Sequence, residues 1–160
     1  GLVHYIDDSM VGLTVYGIQC SLGLNPHNIL QKLKREASIR GYDTECFYCA
    51  LNPEKLEHLI IPEKKCAFVT VNGYHTPHTE YKLWLDMSVF LNKAKLAEKE
   101  EDIRSNCAFF DQLIESAVKM LNRAKMMHDK LETFYVPYIN FEGVNACLNK
   151  TLKRILGAVL

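Results

Sequence analysis

From Ile103 onward the chain repeats its apolar positions at alternating steps of four and three, through Cys107, Phe110, Ile114, Ala117, Leu121 and Ala124 to Leu131 and Tyr135, with His128 the polar member. Held for more than thirty residues, that period keeps one helical face in line and excludes a strand. Pro137 stops the helix, and Asn140 is a suitable cap for a new one. Phe141, Val144, Cys147, Leu148, Leu152 and Ile155 then give the returning helix an apolar face. The expectation is a long C-terminal helical hairpin whose two stripes pack lengthwise. The acidic and basic run Glu98-Lys99-Glu100-Glu101-Asp102 reads as a solvated helix or turn in front of it.

The first half has a different grammar. Residues 1–80 are punctuated by Gly, Pro and Asn-Pro, and three β-rich runs, 14–20, 42–49 and 66–72, read as strands. Between the first two, Ile29, Leu30, Leu33 and Ala37 recur at helical spacing over 26–40. Asn25 suits the cap, Pro26 the first helical position, and Gly41 the left-handed residue after the end. Asn52-Pro53-Glu54 repeats the start chemistry for a short helix to about Leu59, ended by Pro62. Strand, helix, strand, helix, strand gives a small three-layer α/β unit with a parallel sheet and right-handed crossovers. Three strands make a narrow sheet, and the segment from Val3 to Ile6 is a candidate fourth strand at its edge. With 160 residues and 48% hydrophobic content, the chain suits one domain, an α/β part over 1–80 and a helical part over 81–160.

Nineteen Lys plus Arg balance nineteen Asp plus Glu, so no bulk field draws the chain to nucleic acid or anionic lipid, and partners are recognised locally. No apolar run approaches the roughly 20 residues of a membrane span. The N-terminus carries no secretory pattern, and its lack of an initiator Met suggests a processed or excised chain. The six cysteines read as reduced thiols, which places the chain in the cytoplasm. Cys46-Phe47-Tyr48-Cys49 and His75-Thr76-Pro77-His78 together make a four-ligand zinc pattern. Cys46 and Cys49 stand three apart on an expected strand, however, which turns them to opposite faces, and the plain reading is buried thiols and a polar loop. His75 and His78 follow the third strand, at the end of an α/β sheet where ligands gather. His128 has Asp129 and Glu132 as possible partners. No catalytic triad or paired-carboxylate motif stands out, and no catalytic or metal-binding residue is assigned.

The first strand runs into Cys20-Ser21-Leu22-Gly23-Leu24-Asn25-Pro26-His27-Asn28, the junction at which α/β domains place anions on free N–H groups. Read with Val3-His4-Tyr5-Ile6-Asp7, Arg40-Gly41-Tyr42-Asp43, Cys49-Ala50-Leu51-Asn52-Pro53-Glu54, Leu59-Ile60-Ile61-Pro62-Glu63 and Ala124-Lys125-Met126-Met127-His128-Asp129-Lys130-Leu131-Glu132, it resembles a family of predicted bacterial P-loop ATPases. Members often carry two tandem P-loop halves, and this chain is similar to one half over nearly its whole length. The resemblance implies a P-loop NTPase-like fold, ATP and magnesium as the family's cofactors, and a protein partner or second P-loop half.

By the same resemblance Cys20 stands at the first loop glycine, Gly23 at the middle one, Asn25 at the next and Pro26 at the lysine, with His27 and Asn28 at the two hydroxyl positions. Loss of the lysine removes the charge that holds the terminal phosphates, and proline removes an N–H from the cradle. The third strand also ends without a Walker B acid. Two readings of the loop stand: Gly23, Leu24, Asn25, His27 and Asn28 still bind a nucleotide or phosphate anion, or the loop is a connection with capping residues. The functional expectation is a nucleotide-fold domain with an eroded Walker A and B that acts as a regulatory or scaffolding half. The alternatives are a protein-binding module docking through the hairpin, zinc-stabilised or not, and an active ATPase that uses His27 or Lys32.

Overall fold

The computed structural model describes residues 4–21 and 24–157. The chain divides into two compact units, Gly1–Phe109 and Phe110–Leu160.

The first unit is built on a five-stranded mixed sheet in the order β2-β3-β4-β1-β5. Its strands are β1 (Thr14–Gln19), β2 (Glu45–Tyr48), β3 (Leu56–Ile61), β4 (Cys66–Val71) and β5 (Tyr81–Asp86). β1 lies between β4 and β5 and is parallel to both, whereas β2, β3 and β4 form an antiparallel meander. The purely parallel sheet expected from sequence is therefore corrected to a mixed one. The cause is local. Leu56, Leu59 and Ile60 imitate helical spacing, but the segment read as a short helix ends in β3, all six residues of which are buried. A strand covered on both faces is apolar without alternation, so its pattern mimics a buried helix. Asn52 makes a turn instead of a cap, its Oδ1 accepting the Glu54 N–H at 3.2 Å. β3 turns into β4 through a 3₁₀ turn, Pro62–Lys64, and Lys65 with φ 48°.

Two short layers sandwich the sheet. α1 (Ile6–Ser9) contributes Ile6, with Met10 after it, to a core of Val15, Ile60, Ala67, Val69 and Val71. The expected edge strand is absent here: Ile6 begins a helix, and Val3 lies outside the described residues. α2 (His27–Ile39) buries Leu30 and Ala37 against Ile18, Leu56, Leu59 and Ile61 on the other face. Gly41 follows it with φ 78°, as its position after the helix requires.

β5 extends the sheet past residue 80 and was not read from sequence. It packs so close to β1 that a Cβ at Gly17 would stand 2.8 Å from ring atoms of both Tyr81 and Trp84. The Trp84 indole N–H donates to Gln19 Oε1 at 2.9 Å. Parallel β4 and β5 are joined by 72–80, which carries no helix. Asp7 Oδ1 of α1 accepts the His78 N–H from this connection at 3.1 Å. α3 (Lys93–Glu98) follows, with Asn92 Oδ1 accepting the Lys95 N–H at its start.

α4 runs Glu100–Tyr135, and its first turn carries Glu100, Glu101 and Asp102, favourable at the positive end of a helix dipole. In the second unit it ends at the 3₁₀ turn Val136–Tyr138, and Asn140 caps α5 (Phe141–Leu156) by accepting the Gly143 N–H at 2.9 Å. Both helices fall where periodicity and caps put them. Their lengthwise packing does not: neither helix buries a residue, and Leu121, Leu131, Leu148 and Ile155 are exposed. No helix among the described residues is long and apolar enough to cross a membrane.

Candidate functional site

The described residues of the connection between β1 and α2 bond to one another and to the sheet. Asn25 Oδ1 accepts the His27 N–H at 3.0 Å, and the Ile29 and Leu30 N–H groups both donate to Pro26 O. Leu24 donates its N–H to Ser21 O at 3.0 Å. Pro26, at the lysine position of the resemblance, is fully buried. The His27 ring turns to the sheet, where Nδ1 accepts the Leu56 N–H of β3 at 2.9 Å. Asn28 is exposed and faces an open groove along α2 shared with Lys32 and Arg35. Gly23 lies outside the described residues. Cys20 is buried, and burial pushes its thiol pKa up, against a smaller opposing effect of Lys55. At the end of β4, where a Walker B acid would sit, Asn72 instead builds a turn: its Oδ1 accepts the Tyr74 N–H at 2.8 Å and the His75 N–H at 3.1 Å.

That turn delivers His75 to a cluster which the sequence did not disclose. His75 Nε2 lies 3.2 Å from Glu57 Oε2, and Lys55 Nζ lies 3.2 Å from Glu57 Oε1. Glu57 and His58 are adjacent on β3 and both buried. The His58 and His75 rings meet edge to face at 5.7 Å, and His4 lies 6.3 Å from His75. Side chains finish the β3/β4 pairing here: the Thr70 N–H donates to His58 Nδ1 at 3.2 Å, and the Thr70 hydroxyl to Glu57 O at 2.6 Å. A cavity of about 290 Å³ opens over the cluster, lined by His4, Ile6, Phe47, Glu57, His58 and His75.

The electrostatics follow from the contacts. Burial would raise the Glu57 pKa, but hydrogen bonds and charge from His75 and Lys55 outweigh it and hold the group at about 2. Burial, reinforced by His75 and opposed by Glu57, lowers His58 to about 4, so at neutral pH its ring is uncharged. Because His58 Nδ1 accepts from a backbone N–H, the proton of the neutral ring resides on Nε2. His75 is held by a carboxylate through Nε2, and its Nδ1 is buried without a partner, as is that of His4.

Glu57, His58 and His75 present donor atoms within 4.8 Å of one another. The set resembles a His₂Glu zinc site in composition but fits a metal poorly. A metal-bound histidine normally donates through its second nitrogen. His58 has an N–H donor facing Nδ1 and a proton on Nε2, so ligation would displace one or the other. The chemistry the cluster does offer is a carboxylate-oriented imidazole beside a neutral N–H donor. The zinc pattern read from sequence does not assemble among the described residues: Cys46 and Cys49 join no cluster with the histidines, and the His78 N–H is tied to Asp7. His128 lies on exposed α4 with Nδ1 3.5 Å from Glu132 Oε1. No family model, no curated protein and no solved structure matches this chain.

Proposed function

We propose that this chain is a nucleotide-fold half that has given up triphosphate cleavage and serves as a regulatory or scaffolding domain for a protein partner. The position of β1 between two parallel strands, leading through a short loop into α2, is the architectural support for that reading. The observation that carries it is how the described residues at the head of α2 are already engaged. Pro26 has no charge and no N–H, the His27 N–H belongs to Asn25, and the His27 ring serves Leu56. A terminal phosphate would meet neither an ammonium group nor a magnesium-bound hydroxyl there.

The test is phosphate release from Mg·ATP together with calorimetric titration of ATP into the purified chain. The expected result is no turnover above a heat-inactivated control. Turnover that persists in a homogeneous preparation and is lost in His27→Ala or Lys32→Ala would overturn the reading in favour of an unorthodox active loop.

A further inference from the structure

The nucleotide-fold reading leaves unused the cavity of about 290 Å³ over Glu57, His58 and His75. It lies past the carboxyl end of β4, through the Asn72 turn, where α/β sheets collect ligands. Its walls carry polar atoms that the fold does not match. His58 is 5% exposed and neutral; Nδ1 is fixed by Thr70, and the Nε2–H has no partner among the described residues. A buried donor of that kind calls for an acceptor. In His75 the roles are reversed. Its Nε2–H is held by Glu57, so Nδ1 of the neutral ring is a lone-pair acceptor, buried without a partner. His4 has the other unpartnered buried Nδ1 and makes no hydrogen bond among the described residues, so its tautomer is free to follow a ligand.

We propose that this cavity binds an uncharged single ring with a carbonyl oxygen beside a ring N–H, as in a free oxo-pyrimidine. The carbonyl accepts from His58 Nε2, and the ring N–H donates to His75 Nδ1. A second carbonyl on the far side of that N–H falls to His4. The three imidazoles stand in this order, His75 being 5.7 Å from His58 and 6.3 Å from His4 between ring centres. Acceptor, donor and acceptor on the ligand answer donor, acceptor and donor on the protein. His4 stands ahead of α1 with no hydrogen bond to hold it, so its ring gives way to an entering ligand and brings both buried nitrogens within reach.

Charge and size narrow the class. Glu57 is ionised, and both of its oxygens are engaged, one by Lys55 and one by His75. A charged ligand would lose its hydration here without gaining a counter-ion. The volume falls at the small end of ligand pockets, roughly 300–1000 Å³, which suits one ring and excludes a nucleoside triphosphate. Phe47 on the wall, its ring 6.4 Å from that of His58, gives a flat ring an aromatic neighbour. No residue of the β1–α2 connection takes part, so the site stands or falls apart from the nucleotide-fold reading.

The experiment titrates the intact chain, labelled with nitrogen-15 in histidine, with 1-methyluracil at about pH 8, where ordinary imidazoles are neutral. The expected result is a saturable shift of His58 Nε2 and His75 Nδ1, with a dissociation constant of about 1 mM or tighter and His128 unmoved. 1,3-Dimethyluracil, which exchanges the remaining ring N–H for a methyl group, should bind more than about tenfold more weakly. His75→Phe keeps a ring but no nitrogen and should weaken 1-methyluracil by a similar factor, with unchanged Trp84 emission as the sign of an intact sheet. Should that variant not fold, the two uracils on the wild type still decide. Weaker or non-saturating binding of 1-methyluracil, equal binding of 1,3-dimethyluracil, shifts confined to other residues, or full affinity in folded His75→Phe would overturn the proposal. Glutarimide has the same edge on a saturated ring, and its binding as tightly as 1-methyluracil would overturn the assignment to an oxo-pyrimidine.

Discussion

The His58 ring is buried in the neutral form, and that has a measurable consequence for stability. Its folded pKa of about 4 lies below the ordinary 6.5, so between those values the unfolded chain holds a proton that the folded chain does not. Stability from this group is complete above 6.5 and declines as pH falls, until about 4. At pH 5 the unfolded ring is almost fully protonated, 1.5 units below its pKa, which at about 1.4 kcal/mol per unit gives a loss of about 2 kcal/mol relative to neutral pH. Glu57, His75, His4 and Lys55 surround the ring, and the depressed Glu57 adds its own loss in a lower window, from 4.5 to about 2. The perturbation is His58→Asn, whose Oδ1 can still accept the Thr70 N–H but does not titrate. Lost ring packing against Phe47 and His75 costs a fixed amount at both pH values and cancels in the comparison. Urea unfolding followed by the fluorescence of Trp84, the single tryptophan, reports on the sheet unit. The wild type should lose about 2 kcal/mol between pH 7 and 5, and the variant most of that slope. Equal slopes in the two proteins would refute the account of His58.

Other perturbations test the packing and the chemistry of the cluster. Gly17→Ala drives a methyl to within 2.8 Å of the Tyr81 and Trp84 rings, so it should cost about 1–3 kcal/mol and shift the Trp84 emission; an unchanged urea midpoint would show that β5 does not lie so close. One equivalent of zinc at pH 7 should leave the thermal midpoint where it is, because the Thr70 N–H holds His58 in a non-ligating tautomer. Stoichiometric zinc with stabilisation reversed by chelation would mean that the His58 ring leaves Thr70 for the metal.

Local signals and tertiary signals parted at identifiable residues. α2, with Gly41 after it, and α5, with Asn140 at its start, were readable because caps and left-handed glycines act through bonds within a few residues. β3 was not, since burial on both faces removed the alternation that marks a strand and left a spacing equally at home in a helix. β5 escaped notice because it is an edge strand with mostly exposed or half-buried side chains. The cluster was hidden for a related reason. His75 was visible as a histidine beyond a strand, but its partners Glu57 and His58 sat in the misread segment, and only the β3/β4 ladder and the Asn72 turn bring the three together.

By itself, then, the sequence determined the long C-terminal helix, its stop at Pro137, the start of the next, and the proline at the head of α2. All of these depend on backbone propensity, periodicity or the identity of one residue. Strand order and direction, the hydrogen bonds of Asn25 and His27, and the lowered pKa values of Glu57 and His58 were decided in the tertiary structure. Those properties depend on which groups are buried together, and burial is set by residues distant along the chain.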